Sequence, residues 1–211
     1  MLQYLDQYEP TLLEQEIVDM YKRLDFRTPY DINLRQLAEE HGIHIIERRG
    51  ESQAIELKGG SILVFLNSAL PWQEQRMELA HELAHIWMHV GRQDELSTSY
   101  RSRQETQADA WSMYALAPTF MIANCITNAD GPERLVTQLA DTFDVPEYWM
   151  VGRLKALRQR LYDCMVQKQL AQTVAETTAS YDYTRRNPFN PRQEYWIKDG
   201  NVVHARMRAD I

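Results

Sequence analysis

Cysteine is scarce: Cys125 and Cys164 are the only two in 211 residues. They are far apart and form no C-x-x-C or zinc-knuckle spacing, which excludes a disulfide framework and leaves idle thiols in a reducing compartment. No run approaches the ~20 apolar residues of a membrane span. The N-terminal stretch MLQYLDQYEPTLLEQEIVDM has acidic residues where a secretory signal would be basic. A soluble cytoplasmic protein with no membrane partner is expected. Positive charge is also short, with 23 Lys and Arg against 30 Asp and Glu for a net of -7. That balance weighs against direct nucleic-acid binding. The shortage is uneven: residues 1–150 hold 12 basic and 24 acidic side chains, and residues 151–211 hold 11 and 6. A basic tail on an acidic body could meet an acidic partner or a phosphate backbone, although a solvated charged surface is the simpler reading. Internal repeats and low-complexity tracts are absent, and the length suits one domain with extensions or two small ones.

Thr11 and Glu14 make an S/T-x-x-E cap, after which Leu12, Ile17, Met20, Tyr21 and Leu24 recur near one helical face. A second helix is expected across INLRQLAEEH, with Asp31 as its cap and Gly42 as its left-handed stop. IHIIERR, QAIELK and SILVFLN then change period and read as a small antiparallel sheet, with Gly59 and Gly60 turning the last hairpin. Beyond Pro71, WQEQRMELAHELAHIWMHV has helical apolar spacing, as does RQETQADAWSMYALA before Pro118. Two more helices follow, ERLVTQLADTF and PEYWMVGRLKALRQRLYDCMVQKQ, the second opened by Pro146. Residues 172–192 read as a linker or arm, and EYWIK with NVVHARM around Asp199-Gly200 reads as a terminal hairpin.

The chemistry concentrates at His81-Glu82-Leu83-Ala84-His85, an H-E-x-x-H pattern inside a segment that independently reads as a helix. Positions four apart lie about 40° apart on one face and a turn apart in height, so both imidazoles can reach one ion. Glu82 stands about 100° around, beside the metal and suited to act as a general base. Chance would produce the pattern in on the order of 1% of chains this long. The bland alternative makes both histidines polar residues at the edge of an amphipathic helix. A catalytic zinc takes three protein ligands and keeps one position open. A third histidine at the H-E-x-x-H-x-x-G-x-x-H spacing is missing, because Met88 and Gly91 occupy the last two diagnostic positions. Glu105, opening the next helix, fits as third ligand. Asp109, one turn later, can accept the N–H of a ligand histidine and fix its tautomer. Taken alone, that acidic pair would read as a solvent-facing one.

MELAHELAHIWMH followed by E-T-Q-A-D-A-W and ALAP resembles the ImmA/IrrE family of metallopeptidases, over roughly residues 30–160. The resemblance implies an α+β fold, mostly helical, with the three-stranded antiparallel sheet beside the H-E-x-x-H helix in a thermolysin-like zinc peptidase core. Residues 1–120 would form that core, 121–171 a helix-turn-helix-like region, and 172–211 the linker and hairpin. His81, His85 and Glu105 would bind Zn(2+), and Glu82 would be the catalytic base. Ala84, Trp111 and Ala117 depart from the family's usual glycine, phenylalanine and methionine, as packing changes. His89 matches a frequent extra histidine and is assigned a supporting place behind the ligands.

The family implies an endopeptidase that cleaves a helix-turn-helix repressor of the XRE type, relieving repression of phage, mobile-element or stress genes. SILVFLN is expected as the edge strand that pairs with an extended substrate. Tyr100, Arg101, Arg103 and His204 are candidate donors to the oxyanion. Two other readings compete. LVTQLADTFDVPEYWMVGRLKAL looks like a helix-turn-helix, with Arg153, Lys155, Arg158 and Arg160 on its second helix and Tyr148-Trp149 in the core. Alternatively, the protein inactivates a repressor by binding alone, which the intact Glu82 opposes.

Overall fold

The Thr11 cap closes as expected in a computed structural model that describes residues 2–89, 98–126, 131–179 and 181–207. After a 3₁₀ turn at Leu2–Gln7, helix α1 spans Leu12–Arg23. Glu14 N–H donates to Thr11 Oγ1 at 3.2 Å, and Thr11 N–H donates to Glu14 Oε2 at 3.0 Å. The reciprocal pair satisfies two amides that a helix start leaves open. Ile17 and Tyr21 are buried from this helix, and the Tyr21 hydroxyl donates to the Ala115 carbonyl at 2.7 Å.

Helix α2, Leu34–Glu40, is capped by Asn33, whose Oδ1 accepts the Gln36 N–H at 3.1 Å. Asp31 is not the cap: it lies inside a separate 3₁₀ turn, Pro29–Asp31, and its Oδ2 accepts from Thr28 N–H, Arg27 N–H and Thr28 Oγ1. The chain is still turning at Asp31, so the first extended residue with a free carbonyl-type side chain is Asn33. Gly42 supplies the left-handed turn after α2, at φ +69°.

Strands β1 (Ile43–Arg48), β2 (Gln53–Glu56) and β3 (Ile62–Asn67) form a three-stranded sheet in the order β1-β3-β2. The antiparallel expectation holds for β2 with β3, joined through Gly59 and Gly60. It fails for β1, which runs parallel to β3. The expected edge position of SILVFLN fails as well, because β3 is central. β3 has the most continuous apolar run, and its Val64 and Leu66 are almost fully buried. Val64 and Leu66 share one face, which is the covered one, and the more polar β1 and β2 flank β3 at the edges.

Helices α3 (Trp72–Met88), α4 (Thr98–Leu116), α5 (Thr119–Cys125), α6 (Pro132–Phe143) and α7 (Glu147–Ala179) complete the helical part. The class is α+β and mostly helical. α3 packs on both the sheet and α4. One core gathers Tyr21, Leu37, Val64, Leu66, Leu79, Leu83, Leu116, Met121 and Phe143. Arg76, buried on α3, donates to the carbonyls of Phe143, Asp144 and Ile32, so one guanidinium ties α3 to the end of α6 and the approach to α2. Arg153 on α7 is also buried: Nε donates to the Ala117 carbonyl at 2.9 Å and Nη2 to Thr119 Oγ1 at 2.8 Å. Its burial removes one of the four cations that the helix-turn-helix reading would offer to DNA. Tyr148, expected in the core, is exposed, whereas Trp149 packs against it.

The chain divides into two compact units, residues 1–159 and 160–211. In the second, α7 continues to Ala179, and β4 (Tyr183–Asn187), β5 (Asn190–Lys198) and β6 (Asn201–Met207) form an antiparallel meander. The β5–β6 hairpin turns at Asp199 and Gly200, both at positive φ. The stretch 172–192, read from sequence as a linker, is occupied by the end of α7 and by β4. Residues 166–175 of α7 are exposed all round. Val166, Leu170 and Val174 recur four apart there but are exposed, and good helix formers such as Gln, Leu and Ala carry the helix onward. Among the described residues no helix is long and apolar enough to cross a membrane.

The three hydrogen bonds on Asp31 hold its carboxyl below the ordinary value, with the Thr28 amide contributing most. A lowered folded pKa gives stability above the unfolded value of about 4 that is lost as pH falls through the folded one. Asp31→Asn is expected to lower the urea midpoint at pH 7 and to converge with the parent as the pH drops below 4. Arg153→Met leaves Glu14 and the Ala117 carbonyl buried without their cation, at a cost of about 3 kcal/mol or more. The exposed Lys155→Met should stay within about 0.5 kcal/mol, both read from urea unfolding.

Candidate metal centre

Helices α3 and α4 pack side by side, and each contributes one face to a cluster of polar groups. From α3 come His81 and His85, one turn apart, with ring centroids 4.7 Å apart. From α4 comes Glu105, which lies about two turns inside the helix rather than at its opening, because α4 already starts at Thr98. Nε2 of His85 lies 3.0 Å from Nε2 of His81, Glu105 Oε2 lies 3.1 Å from the latter, and Glu105 Oε2 lies 3.5 Å from His85 Nε2. These are the edges of a small triangle of ligand atoms.

The outer nitrogens decide what that triangle offers. His81 Nδ1 is 3.0 Å from Asp109 Oδ1, and a carboxylate can only accept, so the ring proton sits on Nδ1 and Nε2 presents a lone pair. His85 Nδ1 is 3.0 Å from Nδ1 of His89, whose Nε2 is 3.2 Å from Gln107 Oε1. If His85 likewise carries its proton on Nδ1, three acceptors face one another with no proton between them. Such a set repels itself unless a cation sits against it. The spacing also fits: zinc bonds of about 2.0–2.1 Å to N and O imply a tetrahedral face with edges of about 3.3 Å. The donor set and the distances therefore both suit a metal ion.

Glu82 is held differently. It is buried on α3, and its Oε2 accepts the Ala54 N–H of β2 at 2.7 Å. Burial pushes its carboxyl pKa up, and the Ala54 amide offsets part of that rise. His85 moves the other way, its pKa lowered first by burial and then by the neighbouring His81. Both shifts favour states that suit metal binding and base catalysis: a neutral imidazole at His85 and a carboxylate with raised basicity at Glu82.

His81, His85, Glu105 and Asp109 are thus brought together, and Glu82 lies one position along α3 from His81. Of the candidate oxyanion donors, Tyr100, Arg101 and Arg103 are exposed on the first turns of α4, and His204 stacks on Trp196 in the second unit. The loop 90–97 between α3 and α4 lies outside the described residues. Sequence reading missed two participants. Gln107 sits two residues past Glu105 with no motif to mark it, and the Ala54 amide belongs to the backbone, where only the strand register could reveal it.

Residues 38–155 match the family model described as the IrrE N-terminal-like domain of the M78 peptidases. The chain belongs to that family, which is a metallopeptidase family and implies a metal. It is 27% identical over 159 residues to the phage-like element PBSX protein XkdA of Bacillus subtilis (strain 168), an alignment covering 75% of this chain and 79% of that one. It is also 27% identical over 117 residues to the uncharacterized protein YqaB of the same organism, covering 56% and 67%. Among solved structures, a Mycobacterium tuberculosis transcriptional regulator shares the fold with a TM-score of 0.50 at 18% identity. The match covers 72% of this chain and spans 59% of the regulator's length.

A metal held by this triangle predicts that His81→Ala and Glu105→Ala each lose stoichiometric binding. Asp109→Ala, which removes only the outer acceptor, should retain one site and weaken it about 10- to 100-fold. Metal content after gel filtration and chelator competition provide the two readouts.

Proposed function

We propose that the protein is a zinc-dependent endopeptidase in which His81, His85 and Glu105 hold the ion and Glu82 is the catalytic base. The observation that carries this reading is the convergence of three acceptor atoms at ligand spacing, with a buried carboxylate on the same helix. Two imidazoles and one carboxylate form the donor set of thermolysin-like zinc enzymes, and they leave a position open for substrate. When bound, zinc supplies Lewis acidity that acidifies water and polarises a peptide carbonyl.

The chain's own groups do the rest. Ala54 N–H fixes Glu82 Oε2, so Oε1 is left to take the proton from the attacking water. The same carboxyl then delivers that proton to the amine as the C–N bond breaks. Asp109 keeps His81 in one tautomer and one orientation. β2, a sheet edge that touches Glu82 through Ala54, is the strand along which an extended substrate segment would pair. This places the substrate in a stretch of partner protein that can unfold locally or is already extended.

The substrate we assign is a helix-turn-helix repressor of the XRE type, whose cleavage would derepress phage, mobile-element or stress genes. Similarity to a protein named for a phage-like element supports that setting. The chemistry belongs to the unit ending at residue 159.

Glu82→Gln tests base and binding together, because it preserves size and the Ala54 hydrogen bond while removing the proton acceptor. The variant should keep its zinc and cleave a co-expressed XRE-type repressor about 10²- to 10⁴-fold more slowly. Equal repressor inactivation by parent and variant, with the repressor left full-length, would sink the peptidase reading in favour of inactivation by binding.

A further inference from the structure

The two histidine ligands are supported unequally. Asp109 can only accept, so it fixes His81 whatever happens around it. His85 leans instead on a second imidazole and, beyond that, on a neutral amide. We propose that His89 and Gln107 form a positioning chain that sets the tautomer of His85 and thereby its ability to bind metal. This proposal rests on the reading of His81, His85 and Glu105 as the metal ligands.

A neutral imidazole has one N–H and one bare nitrogen. The 3.0 Å contact between Nδ1 of His85 and Nδ1 of His89 therefore needs a proton on one of the two and not on the other. Two arrangements satisfy it. In the first, His89 Nε2–H donates to Gln107 Oε1 across 3.2 Å, His89 Nδ1 is bare, and it accepts from His85 Nδ1–H. Nε2 of His85 then turns a lone pair toward His81 and Glu105. In the second, the Gln107 amide is rotated to present its NH₂, and every donor along the chain reverses. His85 would then aim an N–H at the triangle, where it cannot ligate.

The orientation of the half-buried Gln107 amide is thus coupled to whether the ligand set is complete or blocked. The backbone helps to hold the relay in place. His89 leaves the helix at φ -121° and ψ 129° while its N–H still donates to the His85 carbonyl at 3.1 Å, which keeps the two rings within 5.2 Å. Gln107 comes from α4, the helix that also contributes Glu105, so the second ligand from α3 is tuned by the element that supplies the third.

Because Gln107 can be replaced by residues of defined hydrogen-bonding character, the chain is testable without disturbing the ligands. Gln107→Glu can only accept and should hold the first arrangement; Gln107→Leu can do neither. Long-range proton–nitrogen correlation spectra of the metal-free full chain report the tautomer of each histidine directly. Zinc competition with a chromophoric chelator reports affinity. The parent and Gln107→Glu should show His85 protonated at Nδ1 and bind zinc within a few-fold of each other. Gln107→Leu and His89→Phe should show mixed His85 tautomers and bind about 10- to 100-fold more weakly, with one site retained. Affinities for Gln107→Leu and Gln107→Glu that both equal the parent would overturn the proposal. So would loss of the site in His89→Phe with Gln107→Leu unchanged, which would make His89 itself a ligand. His81→Ala run alongside separates the two layers: zinc affinity surviving in that variant would refute the metal site, whereas its loss together with unaffected Gln107 variants would refute the chain alone.

Discussion

Everything at the site depends on holding two imidazole nitrogens and a carboxylate oxygen within hydrogen-bonding distance of one another, acceptors with no proton to share once both histidines carry theirs on Nδ1. Two imidazole nitrogens and a carboxylate oxygen at 3.0 to 3.5 Å repel, and burial of His85 makes the repulsion harder to screen. The free energy that opposes it comes from the packing of α3 on α4 and on the sheet. Leu79, Ala80, Leu83 and Ala84 on α3 are buried, as are Ala108, Trp111, Ala115 and Leu116 on α4, and the Trp87 and Trp111 rings meet at 5.1 Å. Each large side chain so buried contributes about 1.5–3 kcal/mol, enough in sum to impose an unfavourable polar arrangement at one point. A cation bound there, as proposed, would turn that local repulsion into attraction.

The buried arginines serve that scaffold. Arg76 ties α3 to the chain on both sides of it through three carbonyls. Arg153 does the same for the α4–α5 junction, and Glu14 and Tyr8 share the network around Thr119. Burial lowers the pKa of both guanidiniums. At neutral pH they stay charged, since arginine begins from about 12.5 or above. A buried cation ringed by carbonyls is a demanding brace, because it tolerates little movement of the elements it joins. That rigidity suits a site where a ligand displaced by an ångström would no longer meet the ion.

How legible this was in the sequence depended on whether the information was local. The H-E-x-x-H spacing and the α1 capping box are set by contacts within one turn, so residue order alone located both. Glu105 could be chosen because it lies near the start of the next helix, although α4 begins earlier than its apolar spacing suggests. Sheet order was not local. The apolar run of β3 does not say which strands pair on its two sides or in which direction, and only the pairing itself puts β3 in the centre with β1 parallel to it. Arg153 misled for a related reason: a cation on a helix reads as surface until the Ala117 carbonyl and Thr119 hydroxyl of another segment are seen to bind it. The end of α7 was missed because the Thr- and Ala-rich sequence from residue 172 onward has little apolar periodicity to mark it as helix.

Under the proposed reading of Glu82 as the base, the strand reassignment changes how base and substrate are related. With β3 at the edge, substrate pairing and Glu82 would have been independent features on different elements. With β2 at the edge, the strand available for pairing is the one whose Ala54 amide grips Glu82 Oε2. In an antiparallel pair successive N–H groups alternate between the two sides of a strand. An Ala54 amide turned away from β3 toward Glu82 therefore fixes which of its neighbours direct their backbone groups into the ladder. The register of Ala54 against Val64 then determines both where the base sits and which backbone groups β2 presents along its open side. A slip of one residue would send that amide to β3 and release the carboxylate. The Gly59-Gly60 hairpin, remote from the histidines, guards against this slip by fixing the pairing at its closed end. Alignment of the base is consequently a property of the β2–β3 hairpin as much as of the helix that bears Glu82.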